Sequence, residues 1–257
     1  MSFLAEVALI KKEEVNLRRQ TISEEALLKS IEDLLPKSDF ITGLLSKKGG
    51  LIAEVKKASP SQGKIKKADA VLQALAYQKG GAAAISVLTD KRFFGGSLED
   101  LKKVAAAVNL PVLYKDFVVD TYQITEARAL GASAVLIIVG LAQAKLPYFL
   151  SYCQKAGITP LAEVHTEEEL ECALAAKVPL IGVNNRDLHT LEIDLSTALK
   201  LIKKIPPGMP AVAQSGITSF QEVKELLAAG YKGVLVGTSL MAKNNPQQAV
   251  SELLAGL

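Results

Sequence analysis

The chain has 257 residues, 49% of them hydrophobic, enough to bury one large core or two small ones. A net charge of +3 is too weak for a nucleic-acid footprint, and no apolar run reaches the ~18 residues of a membrane span. Two histidines and two cysteines without ligand spacing (Cys153 and Cys172) argue against a zinc site or a disulfide framework. With no signal-peptide pattern at the N-terminus, a soluble, reducing, cytoplasmic setting is expected.

Residues 3 to about 47 read as helical and contain no strand. Phe3, Leu4, Val7 and Ile10 fall at helical spacing, and the charged run from Lys11 to Arg19 reads as a solvated helix face. Ser23 suits the cap of a second helix, with Glu24 and Glu25 in its first turn and an apolar stripe from Leu27 to Leu35. The expected organisation is one domain over residues 1–257, with 1–47 as a helical extension packed on it.

From Leu51 the chain becomes periodic. Strands are expected to begin near Leu51, Ala82, Pro111, Ser133, Ile158, Pro179, Pro210 and Lys232, each separated from the next by a helix. Asp120, Thr166, Asp194 and Ser219 are candidate N-caps; Thr166 with Glu169 and Ser219 with Glu222 have capping-box spacing. Gly80, Gly131, Gly157 and Gly230 stand where helices should stop. Apolar segments such as Ala134 to Val139 are how parallel strands read when both faces are covered. Eight such units in about 210 residues match a (β/α)8 barrel. A doubly wound open sheet is the alternative, although GxGxxG and Walker motifs are absent from the sequence.

In such a barrel, chemistry collects at the C-terminal ends of the strands. The first strand brings Glu54 and Lys56 there on one face, about 7 Å apart along the strand. The third brings Lys115 and Phe117, the fifth Glu163, and the sixth Asn184 and Arg186, which share a parity. Ser215-Gly216 and Gly237-Thr238-Ser239 follow the seventh and eighth strands, the usual phosphate position in these barrels. The loop from Lys57 to Lys67 is polar and lysine-rich beside this pocket, and is expected to act as a lid that orders on an anionic ligand.

The motifs IAEVKKASPS, FFGGS, YKDF, LAEVH, GVNNRDL, QSGI and VGTSLM occur in this order over residues about 51 to 241. The chain closely resembles the indole-3-glycerol phosphate synthase family of tryptophan biosynthesis. The resemblance implies a carboxy-lyase that closes the ring of 1-(2-carboxyphenylamino)-1-deoxyribulose 5-phosphate, decarboxylates and dehydrates it, with no metal or organic cofactor. A monomer is expected, although the sequence itself does not reveal oligomeric state. The resemblance matches Lys115 to the general acid. It matches Lys56 to the lysine that holds the anthranilate carboxylate and is available to protonate the departing hydroxyl. Glu54 and Glu163 match the paired acids, one of which can take a proton to restore aromaticity, and Asn184 and Arg186 match polar substrate contacts. Ser59, Ser215, Gly216, Gly237 and Thr238 are implied for phosphate and hydroxyls. Phe93, Phe117, Pro60 and Ile137 are implied for the aromatic ring, with Leu235 and Gln214 as further substrate contacts.

One position departs from the family. Gln214 stands where a glutamate usually precedes the SGI serine, and an amide can neither act as a base nor supply negative charge. It is the only support for a barrel that binds a phosphorylated ligand without turnover. A second rival, a phosphoribosylanthranilate isomerase-like enzyme, shares the phosphate logic but not the EVKKASPS and NNRDL motifs.

Overall fold

A computed structural model describes residues 3–257 except 33, 35–38, 48, 57, 60–62, 65–68 and 189, with backbone alone for 58, 59, 63 and 64. Eight strands carry the apolar segments: β1 (Leu51–Val55), β2 (Ala84–Leu88), β3 (Val112–Lys115), β4 (Ala134–Ile138), β5 (Thr159–Val164), β6 (Ile181–Asn184), β7 (Ala211–Gln214) and β8 (Gly233–Val236). Most begin one or two residues after their expected starts. Each pairs in parallel with its sequence neighbours, and β8 returns to β1 in the register Leu51↔Val234, Ile52↔Leu235, Ala53↔Val236. That last pairing removes both sheet edges and decides for the closed (β/α)8 barrel over the open sheet. The segments Ala58–Ser59 and Gly63–Lys64 pair separately as a two-residue antiparallel ribbon.

Alternation along the strands sends one set of side chains inward and the other to the helices. Ile52, Ala84, Leu113, Leu136, Leu161 and Val212 belong to the interior cluster, whereas Ala53, Ile85, Val135 and Ile137 pack with the helix-facing residues. Truncating any of the large ones to alanine would cost about 2–5 kcal/mol, because the wall is covered on both sides.

Caps fix where the helices begin. Asp120 accepts from the Tyr122 N–H, and Ser219 with Glu222 forms a full capping box. Thr166 caps its helix, but Glu169 turns back to the His165 N–H instead of completing a box. Asp194 accepts from the Ser196 N–H one residue ahead of the helix boundary at Leu195. The first barrel helix stops at Gly81, with φ 105°, one residue beyond the expected Gly80.

The extension is helical: α1 (Phe3–Thr21), α2 (Glu24–Glu32) and α3 (Phe40–Leu45). Asp39 caps α3, whose fully buried Phe40 and Leu44 join the cluster of Ile52, Ala84 and Leu113. They close the end of the barrel opposite the strand C-termini. The charged run of α1 is a solvated face only in part: Lys12 and Glu13 are exposed, but Lys11, Arg18 and Arg19 turn toward other elements. Lys11 is buried, Arg18 pairs with Glu126 at 2.9 Å, and Arg19 pairs with Asp120 at 2.6 Å. Charge alone cannot distinguish a helix facing water from one facing carboxylates on another element. No helix among the described residues is long and apolar enough to cross a membrane.

Candidate active site

Glu54 and Lys56 follow the inward parity of Ile52, so β1 carries both to the barrel mouth. Lys56 Nζ lies 3.2 Å from Glu54 Oε1 and donates to Thr238 Oγ1 at 2.7 Å. Lys115, the last residue of β3, reaches across the mouth. Its Nζ is 3.2 Å from Glu163 Oε2 and donates to Gln214 Oε1 at 3.2 Å. The other Glu163 oxygen accepts from Asn184 Nδ2 at 3.0 Å, and Asn184 Oδ1 accepts from the Arg186 N–H at 3.0 Å. These groups line one cavity of about 650 Å³.

Each lysine therefore has one carboxylate beside it. Arg186 has no carboxylate partner among the described residues; its Nη1 donates to the Leu191 carbonyl at 2.7 Å. Burial pulls the Arg186 guanidinium below its ordinary range, yet an arginine at these pH values stays charged. Arg186 is thus a lining cation without a carboxylate partner among the described residues, free to meet an anionic ligand, while the lining acids Asp90 and Asp116 are held by the buried Lys11.

Two turns complete the wall. Ser215 and Gly216 have consecutive left-handed φ values of 68° and 80° directly after β7. Ser239 Oγ donates to the Ile217 carbonyl at 2.9 Å, joining this turn to the one after β8. Gly237 is required by a close approach, because a Cβ there would stand 2.3 Å from Glu54 Oε1.

The expected residues Glu54, Lys56, Lys115, Phe117, Glu163, Asn184, Arg186, Gln214, Ser215, Gly216, Leu235, Gly237 and Thr238 all line the cavity. Ile137 does not. It sits in the helix-facing core, and its neighbours Leu136 and Ile138 face the cavity instead. In a strand with both faces apolar, sequence carries no mark of which parity points inward. Phe93 is set back from the cavity, edge-on to Phe3 at 5.4 Å and to Phe117 at 6.3 Å, while Phe94 lines it. Pro60 lies outside the described residues, Ser59 is described only as backbone, and most of the expected lid lies outside them too.

Sequence reasoning missed Phe3 of α1 and the apolar set Leu188, Leu191, Ile193 and Leu195. Four branched apolar residues in an eleven-residue connection between β6 and the next helix, Ser196–Leu201, were the available signal. A solvent-facing loop would not need them.

A closed parallel barrel with paired lysines and carboxylates at its C-terminal mouth, beside two glycine turns, defines a barrel enzyme for a small anionic substrate. A family model described as Indole-3-glycerol phosphate synthase matches residues 4–253. Indole-3-glycerol phosphate synthase of Aquifex aeolicus (strain VF5) is 42% identical over 99% of both chains. That of Bordetella pertussis (strain Tohama I) is 42% identical over 98% of both. The chain belongs to the indole-3-glycerol phosphate synthase family, decarboxylating lyases of tryptophan biosynthesis that act on a phosphorylated small molecule. Among solved structures, a 3-hexulose-6-phosphate synthase superposes with a TM-score of 0.64 at 15% identity, covering 80% of this chain and 98% of that one. A thiamine phosphate pyrophosphorylase from Pyrococcus furiosus gives 0.59 at 16%, covering 79% and 92%. At such identities the likeness concerns the fold alone.

Proposed function

We propose that the cluster at the barrel mouth carries out ring closure with Lys115 as general acid. Closing the indole ring requires the electron-rich aromatic carbon to attack the ketone of the ribulose chain, and negative charge grows on the ketone oxygen. An ammonium there stabilises that charge and delivers the proton. The observation that carries the reading is Lys115 Nζ held 3.2 Å from Glu163 Oε2 while lining the cavity. Glu163 holds the lysine across the mouth, and Asn184 fixes Glu163.

Lys56 is the partner for the substrate carboxylate. After CO2 leaves, the former ketone oxygen departs as water, with Lys56 positioned to supply the proton through the Glu54–Lys56–Thr238 chain. Glu54 or Glu163 takes the proton whose loss restores aromaticity. Phosphate goes to the turns at Ser215-Gly216 and Gly237-Thr238, with Arg186 as a further polar contact. The aromatic ring lies among Phe117, Phe94, Leu136 and Leu235. Gln214 orients Lys115 as a neutral acceptor and leaves Glu163 as that lysine's single anionic partner among the described residues. We assign this work to a cytoplasmic monomer of one barrel with its helical extension, without a nucleic-acid partner.

Substrate labelled in the anthranilate carboxylate tests the reaction. One labelled CO2 should leave for each indole-3-glycerol phosphate formed. Conversion without label release would point instead to an isomerase.

A further inference from the structure

Lys11 of α1 is 1% exposed, and its ammonium meets three carboxylates: Asp90 Oδ2 at 2.6 Å, Asp116 Oδ1 at 2.9 Å and Glu14 Oε2 at 3.0 Å. Both aspartates belong to the rim of the cavity. Asp90 follows β2 and caps the short helix Lys91–Phe94, accepting from the Phe93 N–H at 2.6 Å and the Phe94 N–H at 3.1 Å. Its second oxygen makes the Lys11 ion pair and no hydrogen bond to any other described residue. Asp116 is the chain neighbour of Lys115. It accepts from the Phe117 N–H at 2.8 Å, from Thr89 Oγ1 at 2.7 Å and from Tyr114 Oη at 3.3 Å.

One buried cation thus ties together the ends of β2 and β3. On one side hangs the helix that carries Phe93 and Phe94. On the other hang Lys115 and Phe117. Without the ammonium, two buried carboxylates would face each other uncompensated, and removing one partner from such a cluster leaves charge that the interior cannot solvate. Burial already pushes Asp116 up, with Lys11 pulling it back; burial opposes charge on Lys11 too, but Asp116 and Asp90 hold it above its ordinary range. The cluster can relax only by moving the strand ends, and those ends hold the acid and the aromatic wall.

We propose that Lys11 is a positioning residue for the reaction: through Asp116 it sets Lys115 and Phe117, and through Asp90 it sets the Phe93–Phe94 helix. The extension then acts on the chemistry through a buried charge, in addition to supplying Phe3. This rests on the reading of Lys115 as ring-closure acid.

The test compares two breaks in the same helix. Lys11→Met removes the cluster's cation; Arg19→Met removes the pair with Asp120, the cap of the helix Thr121–Ala129, and Arg19 shares no ion-pair partner with Lys11 among the described residues. At a temperature where both are folded, Lys11→Met should lose at least about tenfold in kcat, the scale of a displaced catalytic group, and Lys11→Arg should recover most of it. Arg19→Met should lower the melting temperature and leave kcat within about twofold, as expected of a site with no shared partner. Thr89→Val, which removes one anchor of Asp116 and preserves shape, should lower kcat severalfold. Lys11→Met with wild-type kcat, or an equal loss in Arg19→Met, overturns the proposal. If Lys11→Met does not fold, wild-type kcat in Thr89→Val overturns it. The underlying functional reading fails separately, through absent wild-type turnover. In that event the 13C resonance of reductively methylated Lys115 still reports the positioning. It should shift in Lys11→Met and stay in Arg19→Met; the same resonance in both variants overturns the proposal.

Discussion

Gly237→Ala should cripple the site while sparing the fold. A Cβ at this position would lie 2.3 Å from Glu54 Oε1, 3.0 Å from its Cδ and 3.2 Å from its Cβ. Ordinary contact needs roughly 3.5 Å, so the carboxylate must retreat by about 1 Å. Glu54 is 4% exposed and lines the cavity, so its carboxylate yields into the site rather than to bulk solvent. Its retreat opens the 3.2 Å contact with Lys56 and strains the Lys56–Thr238 hydrogen bond of 2.7 Å. A displacement of that size in a catalytic group costs about 10²-fold in rate. The assay is kcat/KM beside a thermal melt. Gly157→Ala is the reverse control: φ is 64° and nothing lies within 4 Å, so stability should fall with kcat untouched. A Gly237→Ala enzyme that keeps more than about a third of wild-type kcat/KM would refute the steric argument, because that is less than the effect of even a minor displacement.

Other substitutions test neighbouring parts of the account. Gln214→Glu sets a second anion about where Oε1 now lies 3.2 Å from Lys115 Nζ. A second carboxylate beside the acid should raise kcat, and an unchanged or lower kcat would make the position purely structural. A dephosphorylated substrate should bind far more weakly than the phosphate ester, and equal affinities by calorimetry would remove the phosphate from the Gly216 and Gly237 turns. Ile137→Ala should cost about 2–5 kcal/mol of stability with KM unchanged, whereas Ile138→Ala should raise KM as well. A KM effect confined to Ile137→Ala would reverse the parity assigned to β4.

Much of this architecture was legible because period and punctuation agree. Apolar strands, capping residues such as Ser219 and stop glycines such as Gly157 mark the units one by one. Charged residues at strand ends were legible for a related reason: Glu54, Lys56, Lys115 and Glu163 interrupt apolar runs, so their parity is visible. Ile137 was not, because Ala134–Ile138 is apolar on both faces and its register is set by Ala162 and Glu163 of the next strand. Lys11 was misread for a physical reason as well. Whether a charged helix face meets water or Asp90 and Asp116 is decided by residues 79 and 105 positions away, through contacts that no local pattern encodes. The apolar loop residues Leu188 to Leu195 carried a signal in their composition, but only the closed barrel shows what they cover.

The most direct test of Lys115 as ring-closure acid is turnover of 1-(2-carboxyphenylamino)-1-deoxyribulose 5-phosphate, followed by indole fluorescence, in wild type and Lys115→Ala. Binding of a reduced, unreactive analogue is measured alongside. The account predicts steady indole formation by wild type and a fall of at least ~10²-fold in kcat for the folded variant, the usual scale for a general acid, with analogue affinity largely kept. Near-normal kcat in Lys115→Ala would contradict it.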